Sequence, residues 1–357
     1  MFQNRLNKVR QEMARLEIDG LLLSNPLDIR YISGFTGSTA LGLVAHDRAA
    51  LILDFRYLTQ ASQEVHSFEI VPAPKKNWDA LGNLIQEWKV QRLGFDAEEV
   101  PYAQYNRLEK EIHEVSLIAT PDLIKDLRMV KDSDEIHLIR KAAELLSITL
   151  EGVFREIRPG LMEKELAAIF EYRLKLLGAD GEGFDTIVAS GDRAAMPHGK
   201  ASEKELNWGD IIIIDGGCKY KGYNADITRT ISLGEPSVKA REIYRIVLKA
   251  QMEALASAKA GTKAFLVDRA ARDTIERESY GEFFGHNTGH GIGLAVHEKP
   301  ILSRDSETLL EEGMTFTVEP GIYLPGLGGV RIEDTVALSP EGLEVLTKVS
   351  RELLVLE

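Results

Sequence analysis

Ile211-Ile212-Ile213-Ile214-Asp215-Gly216-Gly217-Cys218-Lys219-Tyr220-Lys221-Gly222-Tyr223-Asn224-Ala225-Asp226-Ile227-Thr228-Arg229-Thr230-Ile231 is the stretch on which the reading of this chain turns. It contains two apolar runs of the kind that form strands, the first closed by Asp215 and the second opened by Asp226. The glycines between them suit a turn, so the spacing predicts a hairpin with the two aspartates facing each other. Either aspartate alone would be an ordinary turn or capping residue.

Three further residues change the odds. His290 stands between Gly289 and Gly291, Glu319 ends the run Met314-Thr315-Phe316-Thr317-Val318, and Glu333 lies inside Val330-Arg331-Ile332-Glu333. Strand alternation places Thr315, Thr317 and Glu319 on one face, and Arg331, Glu333 and Thr335 on one face of what reads as a single last strand. Pro320-Gly321 then ends regular pairing just after Glu319. Four carboxylates and an imidazole at buried strand positions would cost many kcal/mol if left unpaired. Two divalent cations would cancel the four negative charges, which predicts a dinuclear metal site and metal-assisted hydrolysis. One nitrogen among oxygens is a hard donor set, favouring Mn2+, with Co2+ or Zn2+ as alternatives.

The histidines point the same way. Beyond residue 140 they are His198, in Pro-His-Gly, and His286, His290 and His297, which share one glycine-rich segment. A lone histidine is more often a satisfied core residue. Three in such a segment, where glycine lets backbone approach a bound group, indicate a site.

Composition narrows the class. The 357 residues are 44% hydrophobic and 28% charged, ordinary for a globular chain long enough for two domains. A net charge of −13 argues against non-specific nucleic-acid binding. The single cysteine, Cys218, leaves no internal disulfide and no multi-cysteine zinc site, which suits a reducing compartment. Neither a signal peptide nor a bilayer-spanning apolar run is evident, so the expectation is a cytoplasmic protein with no membrane partner. An amphipathic helix is expected over 1–16, strands at 21–23 and 49–53, and helical character over 78–90 and 102–113. Together they make an α/β domain, residues 1–124. Asp132 and Glu135 have capping-box spacing and open a long helix, followed by helices near 162–177 and 237–259. With long hairpins between them, residues 125–357 read as an α+β domain.

These residues match a known family. Ile214-Asp215-Gly216-Gly217, Asp226-Ile227-Thr228-Arg229-Thr230, Gly289-His290-Gly291, Val318-Glu319-Pro320-Gly321 and Arg331-Ile332-Glu333-Asp334-Thr335 together resemble the pita-bread metallopeptidases: methionine aminopeptidase, aminopeptidase P and prolidase. The resemblance covers nearly the whole chain and implies that Asp215, Asp226, His290, Glu319 and Glu333 hold two metal ions. The proline-specific branch fits best. Its substrate-binding and proton-transfer histidines resemble His198, His286 and His297, and Phe184, Tyr323 and Arg331 match further active-site positions. Ser33-Gly34-Phe35-Thr36-Gly37-Ser38 and Asp54-Phe55-Arg56-Tyr57 are similar to the N-terminal domain of aminopeptidase P. The resemblance therefore implies an Xaa-Pro aminopeptidase acting on proline-containing peptides, with Xaa-Pro dipeptidase (prolidase) as the alternative. The chain length is nearer to compact microbial prolidases. A non-catalytic binding relative or a metal-free creatinase-like hydrolase would not need the intact ligand set. Glu319, His198 and His297 are expected to be catalytic, and Phe184, His286, Tyr323 and Arg331 to bind substrate. Arg331 would hold Asp226 or a substrate carboxylate. Dimers are usual in the family, and Arg56 is expected to reach the neighbouring subunit's site.

Overall fold

A computed structural model describes residues 1–73, 77–112 and 114–357 and divides them into two compact units, Met1–Arg128 and Met129–Glu357. The division falls four positions after the boundary expected at 124/125.

The N-terminal unit is built on a six-stranded mixed sheet in the order Glu69–Pro72, Ala49–Leu53, Leu41–Ala45, Gly20–Leu23, Arg92–Phe95, Ser116–Ala119. Leu41–Ala45 runs antiparallel to both its neighbours, and the outer pairings are parallel. Every residue of the three middle strands Gly20–Leu23, Leu41–Ala45 and Ala49–Leu53 is buried, as continuous apolar runs covered on both faces require. The first helix, Phe2–Arg15, buries Leu6, Val9 and Met13, while Leu16 falls outside it and is 39% exposed. The helical stretch expected over 102–113 is the helix Tyr102–Glu111, and residue 113 lies outside the described residues.

In the second unit the helix Ser133–Phe154 starts at a complete capping box. The Asp132 carboxylate accepts the Asp134 and Glu135 N–H groups, and Glu135 accepts the Asp132 N–H. Helices Glu163–Leu176 and Val238–Ser257 follow where expected. A fourth, Ala264–Arg277, had no sequence expectation behind it. Tyr223–Leu233 pairs antiparallel with Ile211–Tyr220 in one five-stranded sheet. A second sheet runs Glu298–Leu302, Gly289–Gly291, Thr315–Val318, Asp334–Ser339, Gly342–Val345. Ile211, Ile213, Phe316 and Val318 join one core with Ile243, Val247, Val267 and Ala271 from the helices. This core makes the sheet ends rigid platforms for side chains.

Two expectations are corrected. The hairpin turns at Lys221-Gly222, both with positive φ, whereas Gly216 and Gly217 are strand residues. They are glycine because a Cβ would strike the Phe170 ring at 2.5 Å and the Phe184 ring at 2.8 Å. The aspartates are consequently diagonal rather than opposite: Asp215 pairs with Thr228, and Asp226 with Gly217. Second, residues 330–335 are not one strand. Gly328–Arg331 pairs with Gly321–Leu324, Asp334–Ser339 pairs with Thr315–Val318, and Glu333 sits in the break. Alternation therefore does not set its direction; hydrogen bonds to the neighbouring strand do.

Candidate active site

Asp215 continues the row of Ile211 and Ile213, and Asp226 shares its face with Thr228 and Thr230. Thr228 and Thr230 then capture the crossing chain. The Thr228 hydroxyl donates to Glu333 Oε2 at 2.7 Å and accepts from Arg331 Nε at 3.1 Å. The Glu333 N–H reaches the Thr228 carbonyl at 3.1 Å, and the Arg331 N–H reaches the Thr230 hydroxyl at 3.0 Å. Behind them the buried Arg229 guanidinium donates to the Glu333 carbonyl and to Asp334. In the motif Asp226-Ile227-Thr228-Arg229-Thr230 the sequence alone assigns Thr228 no task. Its position two residues after Asp226, on the same strand face, was the available signal.

His290 occupies the middle of a short strand flanked by glycines. A Cβ on Gly289 would meet the Thr317 carbonyl at 1.9 Å, and one on Gly291 the Lys299 carbonyl at 2.0 Å. The close approach is thus to neighbouring strands, not to a bound group. It fixes the imidazole. Nδ1 lies 3.1 Å from the Gly291 carbonyl, and Nε2 lies 3.4 Å from Glu319 Oε1 and 4.0 Å from Asp226 Oδ2. Burial, with His297 alongside, pushes the His290 pKa down to about 4, so the ring is neutral at pH 7. With its proton on Nδ1, toward a carbonyl, Nε2 turns a lone pair toward two carboxylates. A metal ion bound there would take that lone pair and the carboxylate oxygens as ligands.

The carboxylates carry the same signature. Burial first, then repulsion from Asp215 on Asp226 and from Asp226 on Glu333, raise the pKa values of both well above the ordinary range. Glu319 is pushed up to about 8, chiefly by burial. Among the described residues, one oxygen each of Asp215, Asp226 and Glu333 is buried with no hydrogen-bond partner. Ligand atoms of Asp226, His290 and Glu333 lie within 4.8 Å of one another. Orphaned buried oxygens beside a neutral imidazole nitrogen fit a divalent-cation site, so the donor set and the residues agree.

These groups line a cavity of ≈ 690 Å³. Of the residues singled out from the sequence, Phe184, His198, Asp215, Asp226, His286, His290, His297, Glu319, Arg331 and Glu333 line it; Tyr323 and Arg56 do not. Tyr323 stands just behind. Its hydroxyl is 2.9 Å from His286 Nε2 and accepts from Arg331 at 2.8 Å. Arg331 does not hold Asp226. It donates to Asp215 Oδ2 at 2.6 Å, to Tyr323, to Thr228 and to the Pro197 carbonyl at 3.1 Å. That last bond ties down the loop carrying His198, which is exposed at the mouth. His297 is also exposed, with its ring 4.3 Å from that of His290. Arg56 belongs to the N-terminal unit, in the turn Phe55–Tyr57, forked onto Asp54 at 2.9 and 2.7 Å. Asp185, Asn287 and Lys200, not singled out from the sequence, also line the cavity and lie next to or near named residues.

Residues 137–340 match the model of metallopeptidase family M24, and residues 5–130 that of the creatinase/prolidase N-terminal domain. A solved Xaa-Pro dipeptidase from Bacillus anthracis is 43% identical, with full coverage of both chains and a TM-score of 0.97. An X-Pro aminopeptidase from Thermotoga maritima is also 43% identical, covering 96% of this chain and 99% of its own, with a TM-score of 0.89. The Xaa-Pro dipeptidase of Pyrococcus furiosus is 40% identical over 99% of this chain and 100% of its own length. A family model spanning more than half of the chain, relatives that cover it end to end, and a cavity with buried carboxylates converging on a neutral histidine have one reading: the chain belongs to metallopeptidase family M24, the pita-bread peptidases.

Proposed function

We propose that this peptidase is an Xaa-Pro dipeptidase, a prolidase, working with two divalent metal ions held by Asp215, Asp226, His290, Glu319 and Glu333. The observation that carries the reading is the gathering of ligand atoms of Asp226, His290 and Glu333 within 4.8 Å of one another on the cavity wall, with Glu319 Oε1 3.4 Å from His290 Nε2. From the sequence, Xaa-Pro aminopeptidase is the first expectation. The relatives favour its alternative, since dipeptidases from Bacillus anthracis and Pyrococcus furiosus align over the whole chain. The donor set supports Mn2+ over softer-ligand metals. When bound, the ions supply Lewis-acid activation of water and of the scissile carbonyl.

The chain's own groups do the rest. Glu319 takes the proton of the attacking water and passes it to the leaving proline nitrogen. His198 and His297, at the mouth, donate toward the developing oxyanion and the proline nitrogen. Phe184, packed against Gly217, offers an apolar wall for the proline ring. A secondary-amine leaving group with a rigid ring suits such a wall, because the imide lacks an N–H to satisfy. Among the described residues no helix is long and apolar enough to cross a membrane.

The test is to measure proline release from Xaa-Pro dipeptides and N-terminal residue release from Xaa-Pro-Yaa tripeptides, with and without Mn2+. Dipeptides should be cleaved, faster with Mn2+. Faster tripeptide cleavage would return the assignment to aminopeptidase P.

Two consequences follow for single residues. His198→Ala should lower kcat by roughly 10²-fold, the usual scale for a proton-transfer or oxyanion partner. Metal content should be unchanged, because no ligand is touched; metal loss would make His198 structural. Arg56 is exposed on its turn, with Phe55 81% exposed beside it. If the protein is a homodimer and Arg56 limits substrate length across the interface, Arg56→Ala should change KM for tripeptides while leaving dipeptide KM and metal content alone. A monomer of full activity by light scattering would remove that role.

A further inference from the structure

We infer that Asp268 and Arg272, on the helix Ala264–Arg277, are positioning residues for His286, setting the active-site face of the loop from outside the cavity. The inference rests on the peptidase reading of the cavity. Both residues are buried, at 1% and 6% exposure, and the Arg272 guanidinium is forked onto the Asp268 carboxylate at 2.9 and 2.7 Å. The pair does not stop at itself. Arg272 also donates to the Phe284 and His286 carbonyls, each at 2.9 Å, and lies over the Phe284 ring. Asp268 Oδ1 accepts the Thr288 hydroxyl at 2.8 Å and the Thr288 N–H at 3.2 Å. Three alternate residues of one loop, 284, 286 and 288, are therefore held by one ion pair.

A buried ion pair is a weak source of stability, because desolvation offsets the attraction. Its remaining use here is geometric. The His286 backbone is anchored behind while its ring faces the cavity, with Nδ1 on the Asn287 carbonyl at 2.8 Å and Nε2 against Tyr323. From Tyr323 the bonds continue to Arg331 and Asp215. On the other side the Thr288 carbonyl accepts the Glu319 N–H at 2.8 Å. Lysine at 272 keeps the charge and can stay on Asp268, but an ammonium cannot fork to the carboxylate and reach both carbonyls.

The test is a double-mutant cycle on dipeptide hydrolysis by the metal-loaded protein, joined to proton NMR of the His286 ring N–H in the metal-free protein. Arg272→Lys should lower kcat about tenfold with KM changed less than threefold, and the His286 ring N–H should shift and exchange faster. In a His286→Ala background the same substitution should cost less than twofold. Thr288→Val, which removes one hydroxyl and leaves the ion pair, should fall between Arg272→Lys and wild type. Losses that multiply across the two backgrounds, or an unmoved ring N–H in folded Arg272→Lys protein, would overturn the positioning role. The NMR arm does not depend on the substrate, so a wild type inactive on Xaa-Pro dipeptides would count against the function and leave this inference to the ring signal.

Discussion

Glu319→Gln is expected to remove nearly all turnover while the fold stands. The substitution keeps volume and one hydrogen-bonding oxygen, so Thr317, whose hydroxyl is 3.3 Å from Glu319 Oε1, can retain its contact. Two things are lost. On the proposed mechanism, the site gives up one of the four negative charges that two cations would balance, and the reaction gives up its base. Losing a general base costs about 10²–10⁴-fold, and weakened cation binding adds to it. Far-UV circular dichroism should be unchanged and kcat should fall by at least ~10³-fold. A variant that keeps most of its kcat with normal metal content would show that the proton goes elsewhere.

The second large effect is on stability, and its sign is opposite to the common carboxylate case. Carboxylates in ion pairs usually have depressed pKa values and lose stability in acid. Here Asp226, Glu319 and Glu333 are raised, mainly by burial and then by one another or by Asp215. With no cation present, the folded chain keeps these protons longer than the unfolded chain does. Stability must then fall as pH rises through the interval between the unfolded and folded values, from 4.5 to about 8 for Glu319. Metal-stripped protein should therefore melt at a higher temperature near pH 5 than near pH 8, by on the order of several kcal/mol in stability. Mn2+ should reverse the order, because cations bind the deprotonated ligands and stabilise only the folded chain. Calorimetry across this range, with and without Mn2+, checks both halves. A stripped protein that gains stability from pH 5 to 8 would mean that the carboxylates are not crowded as described.

Much of the site was legible because its residues violate local pattern. A charged residue at the end of four isoleucines and a histidine between glycines both break the pattern around them, and both stand on the cavity wall. The less legible parts were those where tertiary contacts override alternation. Glu333 reads as a strand residue because Val330, Ile332 and Val336 keep an apolar rhythm. Yet the chain changes sheets there, and Thr228 rather than the pleat aims the carboxylate. Gly216 and Gly217 read as turn because glycine usually marks one; here they make room for Phe170 and Phe184. Of the two partners expected for Arg331, Asp226 or a substrate carboxylate, the first is replaced, since diagonal pairing brings Asp215 rather than Asp226 to its guanidinium. The helix Ala264–Arg277 had no expectation at all, although its buried Val267, Ala271 and Ile275 recur at helical spacing.

The central claim is that the five residues hold two metal ions. Metal analysis per chain, on protein equilibrated with Mn2+ and freed of excess, tests it most directly. Two equivalents are expected for wild type, together with loss of metal and activity on chelation and recovery of both on return of Mn2+. Full hydrolytic activity in protein stripped below a tenth of an equivalent would contradict the account.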